Sequence, residues 1–400
     1  MRGKERLNVW TVRDYVKNIL MLLVKIPVRT VQLLLFWIPV RRNRITIYSL
    51  KQHGYSCNLK YLTEYLRQNK AGSFELMWIV KRQEDLQQLQ CEGVPAAMAR
   101  SLRHFLWRHR SGIVITNDEF YPMCRKRRGQ RYINLWHGGI NYKKIGYEGL
   151  EFTNPVQKLI YRTNNPQPDC FVSGSRSFTQ TAAKAFGFPE GIFLECGLPR
   201  NDLLVKGAEE AERDAIRREL GIASDKNVVL YAPTFRGGGN GPQDRPDYQK
   251  LAECLGERFG GEWVILLRQH YFVAEREDAS AALVRDVSDY PDMQRLLLIA
   301  DCLVSDYSSC MWDFLLTGRP CFVYAKDLET YQDSDRAFFI PPEEWPYPLA
   351  TDEQTLWKRI LEFDPDDYQK KTAFHQKQCG SKDMGTGCEQ LVQYLEKQLQ

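Results

Sequence analysis

Two histidines stand where apolar runs give way to turns. His137 closes Asn134-Leu135-Trp136 and precedes Gly138-Gly139, and His270 follows Leu267-Arg268-Gln269. A histidine at the carboxyl end of a parallel strand is placed to move a proton near neutral pH. The two glycines after His137 let the backbone turn sharply and let a ligand come close. Arginines occupy two similar positions. Arg236 ends Ala232-Pro233-Thr234-Phe235 and meets Gly237-Gly238-Gly239, and Arg268 ends residues 263–268. A guanidinium there suits bidentate pairing with phosphate oxygens; an exposed arginine on a flexible lid is the competing reading of Arg236. The third feature is Asp306-Tyr307-Ser308-Ser309, polar and turn-prone, between an apolar run at 301–305 and an apolar segment at 311–316. Ser308 and Ser309 suit a helix start, whose N–H groups and dipole favour a phosphate or pyrophosphate. Asp313, four residues after Ser309, shares a helix face with it. A carboxylate there would accept from ribose hydroxyls, or pair with Arg319.

These residues need a scaffold of strands ending in loops. Apolar runs at 45–50, 74–80, 112–116, 132–136, 169–173 and 192–195 predict strands, and segments 59–68, 96–108 and 176–186 predict helices. Further strands are expected at 228–231, 263–268, 301–305 and 320–324, with helices at 292–299 and 311–316. Strand–helix alternation argues for parallel α/β architecture, with ligands beyond the carboxyl ends of the strands. The 400 residues exceed what one core usually holds, so two such domains are expected, at 45–205 and 206–375, with a C-terminal helix at 376–400.

Charge is unevenly spread. The net charge is +5, but residues 1–44 carry +8 and the rest −3. That arm is rich in Leu, Val and Ile, carries Trp10 and Trp37 near its ends, and is interrupted by Arg13, Asp14, Lys17, Lys25 and Arg29. Its longest uncharged run, 30–40, is shorter than the roughly 20 residues a bilayer requires. Two amphipathic helices split near Pro27 would lie in an anionic membrane surface, with Lys17, Lys25, Arg29, Arg41, Arg42 and both tryptophans in contact. Helices packed on the body are the alternative. Lys143 and Lys144 could meet an anion or face solvent, and Arg125-Lys126-Arg127-Arg128 could touch anionic lipid or a phosphorylated acceptor. Nucleic acid is set aside, because the body is not basic. Eleven cysteines without a CxxC pair argue against a disulfide framework or zinc site and for a reducing cytoplasm.

The ordered motifs resemble the CDP-glycerol glycerophosphotransferase family of teichoic-acid and related polymer synthesis. They are Trp136-His137-Gly138 with Lys143-Lys144-Ile145-Gly146, Gly197-Leu198-Pro199-Arg200-Asn201-Asp202, Ala232-Pro233-Thr234-Phe235-Arg236 and Leu267-Arg268-Gln269-His270. Val287-Ser288-Asp289-Tyr290, the run from Asp306 to Phe314, and Tyr324 to Tyr331 complete the set. The resemblance implies a glycosyltransferase-B fold: two Rossmann-like domains facing a central cleft, with a membrane-associating helical arm. It also implies transfer of glycerol phosphate from CDP-glycerol to a polyprenyl-diphosphate-linked or glycolipid acceptor, releasing CMP, by a peripheral protein on the cytoplasmic face of the membrane. His137 is then the general base, with Gly138, Lys143 and Lys144 near acceptor or phosphate. His270, Arg236 and Arg268 steady the pyrophosphate, and Asp306, Ser308, Ser309 and Asp313 bind the donor. No cofactor and no divalent metal are expected, fixed cations taking the metal's place, and a homo-oligomer is possible.

The chain departs from the family pattern at Gly139-Ile140-Asn141-Tyr142, at Gln269 and at Gly380-Ser381-Lys382-Asp383-Met384-Gly385. The first change bears on acceptor choice and the last on whether CDP-ribitol replaces CDP-glycerol. A nucleotide-sugar glycosyltransferase of the same fold and a non-catalytic membrane-bound partner are the rival readings.

Overall fold

The computed structural model describes residues 12–49, 55–118, 124–149, 155–234, 245–269, 283–334 and 337–399. Among the described residues, thirteen strands form two parallel sheets. The first holds β1 (Arg41–Tyr48), β2 (Glu75–Val80), β3 (Ala96–Met98), β4 (Ser111–Thr116), β5 (Arg131–Asn134), β6 (Cys170–Ser173) and β7 (Phe193–Glu195), in the order 3-2-1-4-5-6-7. The second holds β8 (Lys226–Ala232), β9 (Glu262–Leu267), β10 (Val284–Asp286), β11 (Cys302–Ser305), β12 (Cys321–Tyr324) and β13 (Leu349–Ala350), in the order 10-9-8-11-12-13. Helices cover both faces of a parallel sheet, so its strands are continuously apolar. Accordingly the ends of β1 and β8 are buried at every position from Arg44 to Tyr48 and from Val228 to Ala232.

Each sheet reverses its strand order once, between β1 and β4 and between β8 and β11. Ligand crevices in open α/β sheets lie outside the strand ends at such a reversal. The predicted strands fall within a few residues of these elements. One helix does not: 96–108 divides into the edge strand β3 and a helix at Leu102–Arg110. Ala96-Ala97-Met98 has a helix-forming composition, but pairing with Trp78 to Val80 of β2 outweighs it.

The last helix, Gly387–Lys397, returns to the first sheet, where Leu391, Val392 and Leu395 join the core of β1 and β4. Asp202 caps it from a distance, accepting from the backbone N–H of Gly387 at 2.7 Å and of Cys388 at 2.8 Å. The preceding helix, Pro365–Cys379, runs across residue 375.

The arm is one helix, Val12–Leu34, with Pro27 inside it, rather than two. Proline cannot donate to the carbonyl four residues back and disfavours a helix interior. Anchors on either side hold this one on the body as a single helix. Lys25 Nζ donates to Asn164 Oδ1 at 2.6 Å, Gln32 exchanges two hydrogen bonds with the backbone of Arg125, and His109 Nε2 donates to Leu35 O at 2.6 Å. Arg127 closes the junction, donating to Phe36 O and Ile38 O at 2.7 Å each and to His109 O at 2.9 Å. The Arg125–Arg128 cluster is therefore in part a structural clasp.

These contacts correct the assignment of Lys25 to a membrane surface: it is buried, and burial, with Arg29 nearby, lowers its amine to about 8. Arg41 and Arg42 belong to β1, where Arg41 pairs with Glu75 and Arg42 donates to Leu399 O. Arg29 is half-buried, Lys17 is exposed, and Trp10 lies outside the described residues. Lys25 and Gln32 of the arm are buried against the protein while Val16, Leu20, Leu23, Val24, Leu34 and Trp37 are exposed. No helix among the described residues is long and apolar enough to cross a membrane.

An Arg127→Ala substitution removes three hydrogen bonds from a charged donor and is expected to weaken the arm's attachment by about 2–4 kcal/mol. Amide exchange at residues 33–38 should rise at least tenfold.

Candidate active site

His137 follows β5, next to β4 at the first strand reversal. Its Nδ1 lies 3.0 Å from Asn117 O. A carbonyl only accepts, so that nitrogen carries a proton, and whenever the ring is neutral its lone pair lies on Nε2. The Trp136 indole stacks on the imidazole with centroids 4.4 Å apart.

The sharp turn expected at the glycines occurs two residues before the first of them. Trp136 takes φ +48°, a left-handed conformation uncommon for a bulky residue, and neither Gly138 nor Gly139 does. Gly139 is needed for a different reason: a Cβ there would lie 2.5 Å from Trp312 Nε1, in a helix beside the second sheet. The close approach predicted for a ligand is made by an indole. Gly138 has room for a Cβ.

Trp312 belongs to the helix Cys310–Leu315, which begins just after Ser308 and Ser309 at the end of β11. The histidine loop thus lies against the helix whose start was expected to hold phosphate. Ser308 and Ser309 are half-buried there, with Ser308 Oγ 3.4 Å from Cys310 N. Arg268 lies within electrostatic reach of Cys310, the first residue of that helix. Burial lowers its guanidinium below the usual value against opposing pulls from Cys310 and Asp292, and Nη1 donates to Tyr290 O at 2.7 Å. Asp306 is buried and accepts from Thr234 N at 2.8 Å and Tyr307 N at 2.5 Å. That carboxylate ties the β8 and β11 loops together across the second reversal. Arg236 and His270 lie outside the described residues.

Asp313 is corrected. It is buried against Arg200, with Nη2 to Oδ2 at 2.7 Å, and Gln294 Nε2 donates to the same oxygen at 3.0 Å. No ribose reaches a carboxylate so enclosed. Nor is Arg319 its partner, because Arg319 donates to the carbonyls of Leu297, Leu298 and Ala300. Burial works against the Arg200 charge, but Asp313 and Cys57 outweigh it and raise the guanidinium pKa. Removing one partner of such a pair costs about 3–5 kcal/mol.

Lys143 and Lys144 reach the second sheet's side through backbone pairing with Phe338 and Ala337. Lys143 Nζ lies 3.5 Å from the buried Tyr331 hydroxyl, and both lysines are half-buried. Lys60 and Tyr61 reach Asp292 at 2.6 and 3.0 Å. Among the described residues, no three His, Cys, Asp or Glu side chains converge as a metal site. The eleven cysteines are unpaired.

Two residues had no role assigned from sequence. Asn58 donates to Leu135 O and Trp136 O, and a capping signal at Ser56-Cys57-Asn58 could have drawn attention to it. Asp383, within the blurred C-terminal motif, accepts from Leu198 N at 2.7 Å and Trp312 Nε1 at 3.2 Å.

Fold and site together define an α/β protein of two parallel sheets, in which the loop that carries His137 packs, at Gly139, on the helix that follows Ser308 and Ser309. Among solved structures, the wall teichoic acid polymerase TagF, in a variant soaked with CDPG, superposes with a TM-score of 0.81 at 26% identity, covering 98% of this chain and 99% of that one. The teichoic acid glycerol-phosphate transferase of Staphylococcus aureus is 34% identical over 89% of this chain and 94% of its own length. A teichoic acid poly(glycerol phosphate) polymerase of Staphylococcus epidermidis is 30% identical over 89% of this chain, which spans 50% of that protein. Residues 30–397 match the family described as CDP-glycerol:poly(glycerophosphate) glycerophosphotransferase, and the chain belongs to that family.

Burial, foremost, raises the Asp383 carboxyl from 3.8 to about 7. The folded protein therefore holds a proton that the unfolded chain releases, and stability should fall as pH rises from about 4 to about 7. Urea midpoints across that range are expected to drop in the parent, and this contribution should vanish in Asp383→Asn.

Proposed function

We propose that this protein transfers glycerol phosphate from CDP-glycerol to a hydroxyl of a membrane lipid-linked acceptor and releases CMP, in teichoic-acid or related cell-surface polymer synthesis. The observation that carries the reading is His137, with Nδ1 engaged by Asn117 O, in a loop packed against the helix that Ser308 and Ser309 begin. In-line displacement at phosphorus requires a base for the attacking hydroxyl and fixed positive charge for the leaving phosphate. His137 Nε2 takes the acceptor proton. The start of the helix Cys310–Leu315 and Arg268, with Arg236 and His270, receive the charge gathering on CMP. No resident metal or cofactor enters this scheme. Two parallel sheets with reversals at β1/β4 and β8/β11 support a glycosyltransferase-B arrangement, with an acceptor domain at 45–205 and a donor domain at 206–375.

The outward apolar face of the arm supports peripheral attachment to the cytoplasmic side of the membrane. Lys17 and Trp37, both exposed, flank that face and would meet anionic headgroups and the interface.

His137→Ala is expected to lower turnover about 100- to 10,000-fold while donor affinity stays within about threefold. Near-parental turnover would remove the base assignment. The same assay run with CDP-glycerol, CDP-ribitol and UDP-sugars reports the donor by the nucleotide released, and sizing the product tells one added unit from many. For the arm, replacing Leu20 and Leu23 together by glutamate should cut binding to anionic vesicles at least tenfold, given about 1.5–3 kcal/mol for each buried leucine.

A further inference from the structure

We propose that Asn58 is a positioning residue for this reaction, holding the His137 turn in register with the helix that receives the donor phosphate. The inference rests on His137 as the base. Trp136, one residue before it, has the strained left-handed backbone, and such a conformation persists only where its surroundings over-determine it. Asn134 Oδ1 accepts from Trp136 N at 2.8 Å. The Asn58 amide supplies the remaining grip, its Nδ2 donating to Leu135 O at 3.2 Å and to Trp136 O at 2.9 Å. Two successive carbonyls converge on one nitrogen because the residue between them is turned.

Asn58 is fully buried, and its own oxygen accepts from Arg200 N at 3.1 Å. Both ends of the amide are thus engaged, and the second end leads across the seam. Arg200 holds Asp313, which lies in the helix Cys310–Leu315. An unbroken chain runs from the turn that aims the imidazole to the helix that faces the phosphates: Trp136 O, Asn58, Arg200, Asp313. A base displaced by about 1 Å can lose on the order of 100-fold in rate. Serine cannot span the three partners, and aspartate cannot donate to the carbonyls.

The test compares Asn58→Asp and Asn58→Ser with the parent, using CDP-glycerol as donor. A third protein carries Arg200→Met with Asp313→Leu, since apolar replacement of a buried ion pair is often tolerated and leaves Asn58 itself in place. Turnover and donor KM are measured, and histidine ¹⁵N spectra follow the His137 ring, assigned by the signal lost in His137→Ala. Expected are a fall in kcat of about 10- to 100-fold in the Asn58 variants and about tenfold in the double variant. Donor KM should stay within about threefold, and the His137 signal should move away from the Nδ1–H tautomer. A folded variant with kcat within threefold of the parent and an unmoved signal overturns the proposal. So does a joint loss of kcat and KM with that signal unchanged, which is what general destabilisation gives. If the signal moves but His137→Ala retains turnover, the failure lies with the base assignment and not with the hold of Asn58 on the ring.

Discussion

The buried ion pair between Arg200 and Asp313 is the contact on which the candidate site depends. Its partners come from the segment after the first sheet and from a helix of the second. A charge pair withdrawn from water stabilises little by itself, but losing either half leaves an uncompensated charge. It therefore acts through specificity, admitting one relation between the sheets and penalising others. Gly139 against Trp312, Asp383 between Leu198 and Trp312, and Lys60 on Asp292 all require the same alignment.

Much of this was legible in the chain. Buried parallel strands are written as apolar runs, and the loops after β5, β9 and β11 carry His137, Arg268 and Asp306 to Ser309 where the runs stop. What escaped was whatever depends on a partner far along the chain. Helical spacing puts Ser309 and Asp313 on one face and cannot reveal that Arg200 has already taken the carboxylate. The glycines after His137 signalled a close approach, but the neighbour is Trp312, more than 170 residues away. Pro27 predicted a break, and the hydrogen bonds of Lys25 and Gln32 to distant segments override it.

The arm inverts the usual rule for a surface helix. Lys25 and Gln32 are buried while Leu20, Leu23 and Val24 are exposed. Helices that dock on a soluble body bury the apolar stripe; this one docks through Lys25 and Gln32 and leaves Leu20, Leu23 and Val24 outward. Arg127 fixes the junction with β1, so whatever surface the arm meets also orients the first sheet.

The return of the helix Gly387–Lys397 to the first sheet bears on how the molecule is made. Leu391, Val392 and Leu395 belong to the core around β1 and β4, and Asp202 grips the helix start. A nascent chain that has emerged through β7 still lacks those side chains. The first sheet can pair its strands during synthesis, but its core closes only after the second sheet has been translated. The two halves are consequently not independent folding cassettes. Excising residues 45–205 would leave an apolar trough on that sheet, and exchanging halves between relatives would require the C-terminal helix to travel with the first half.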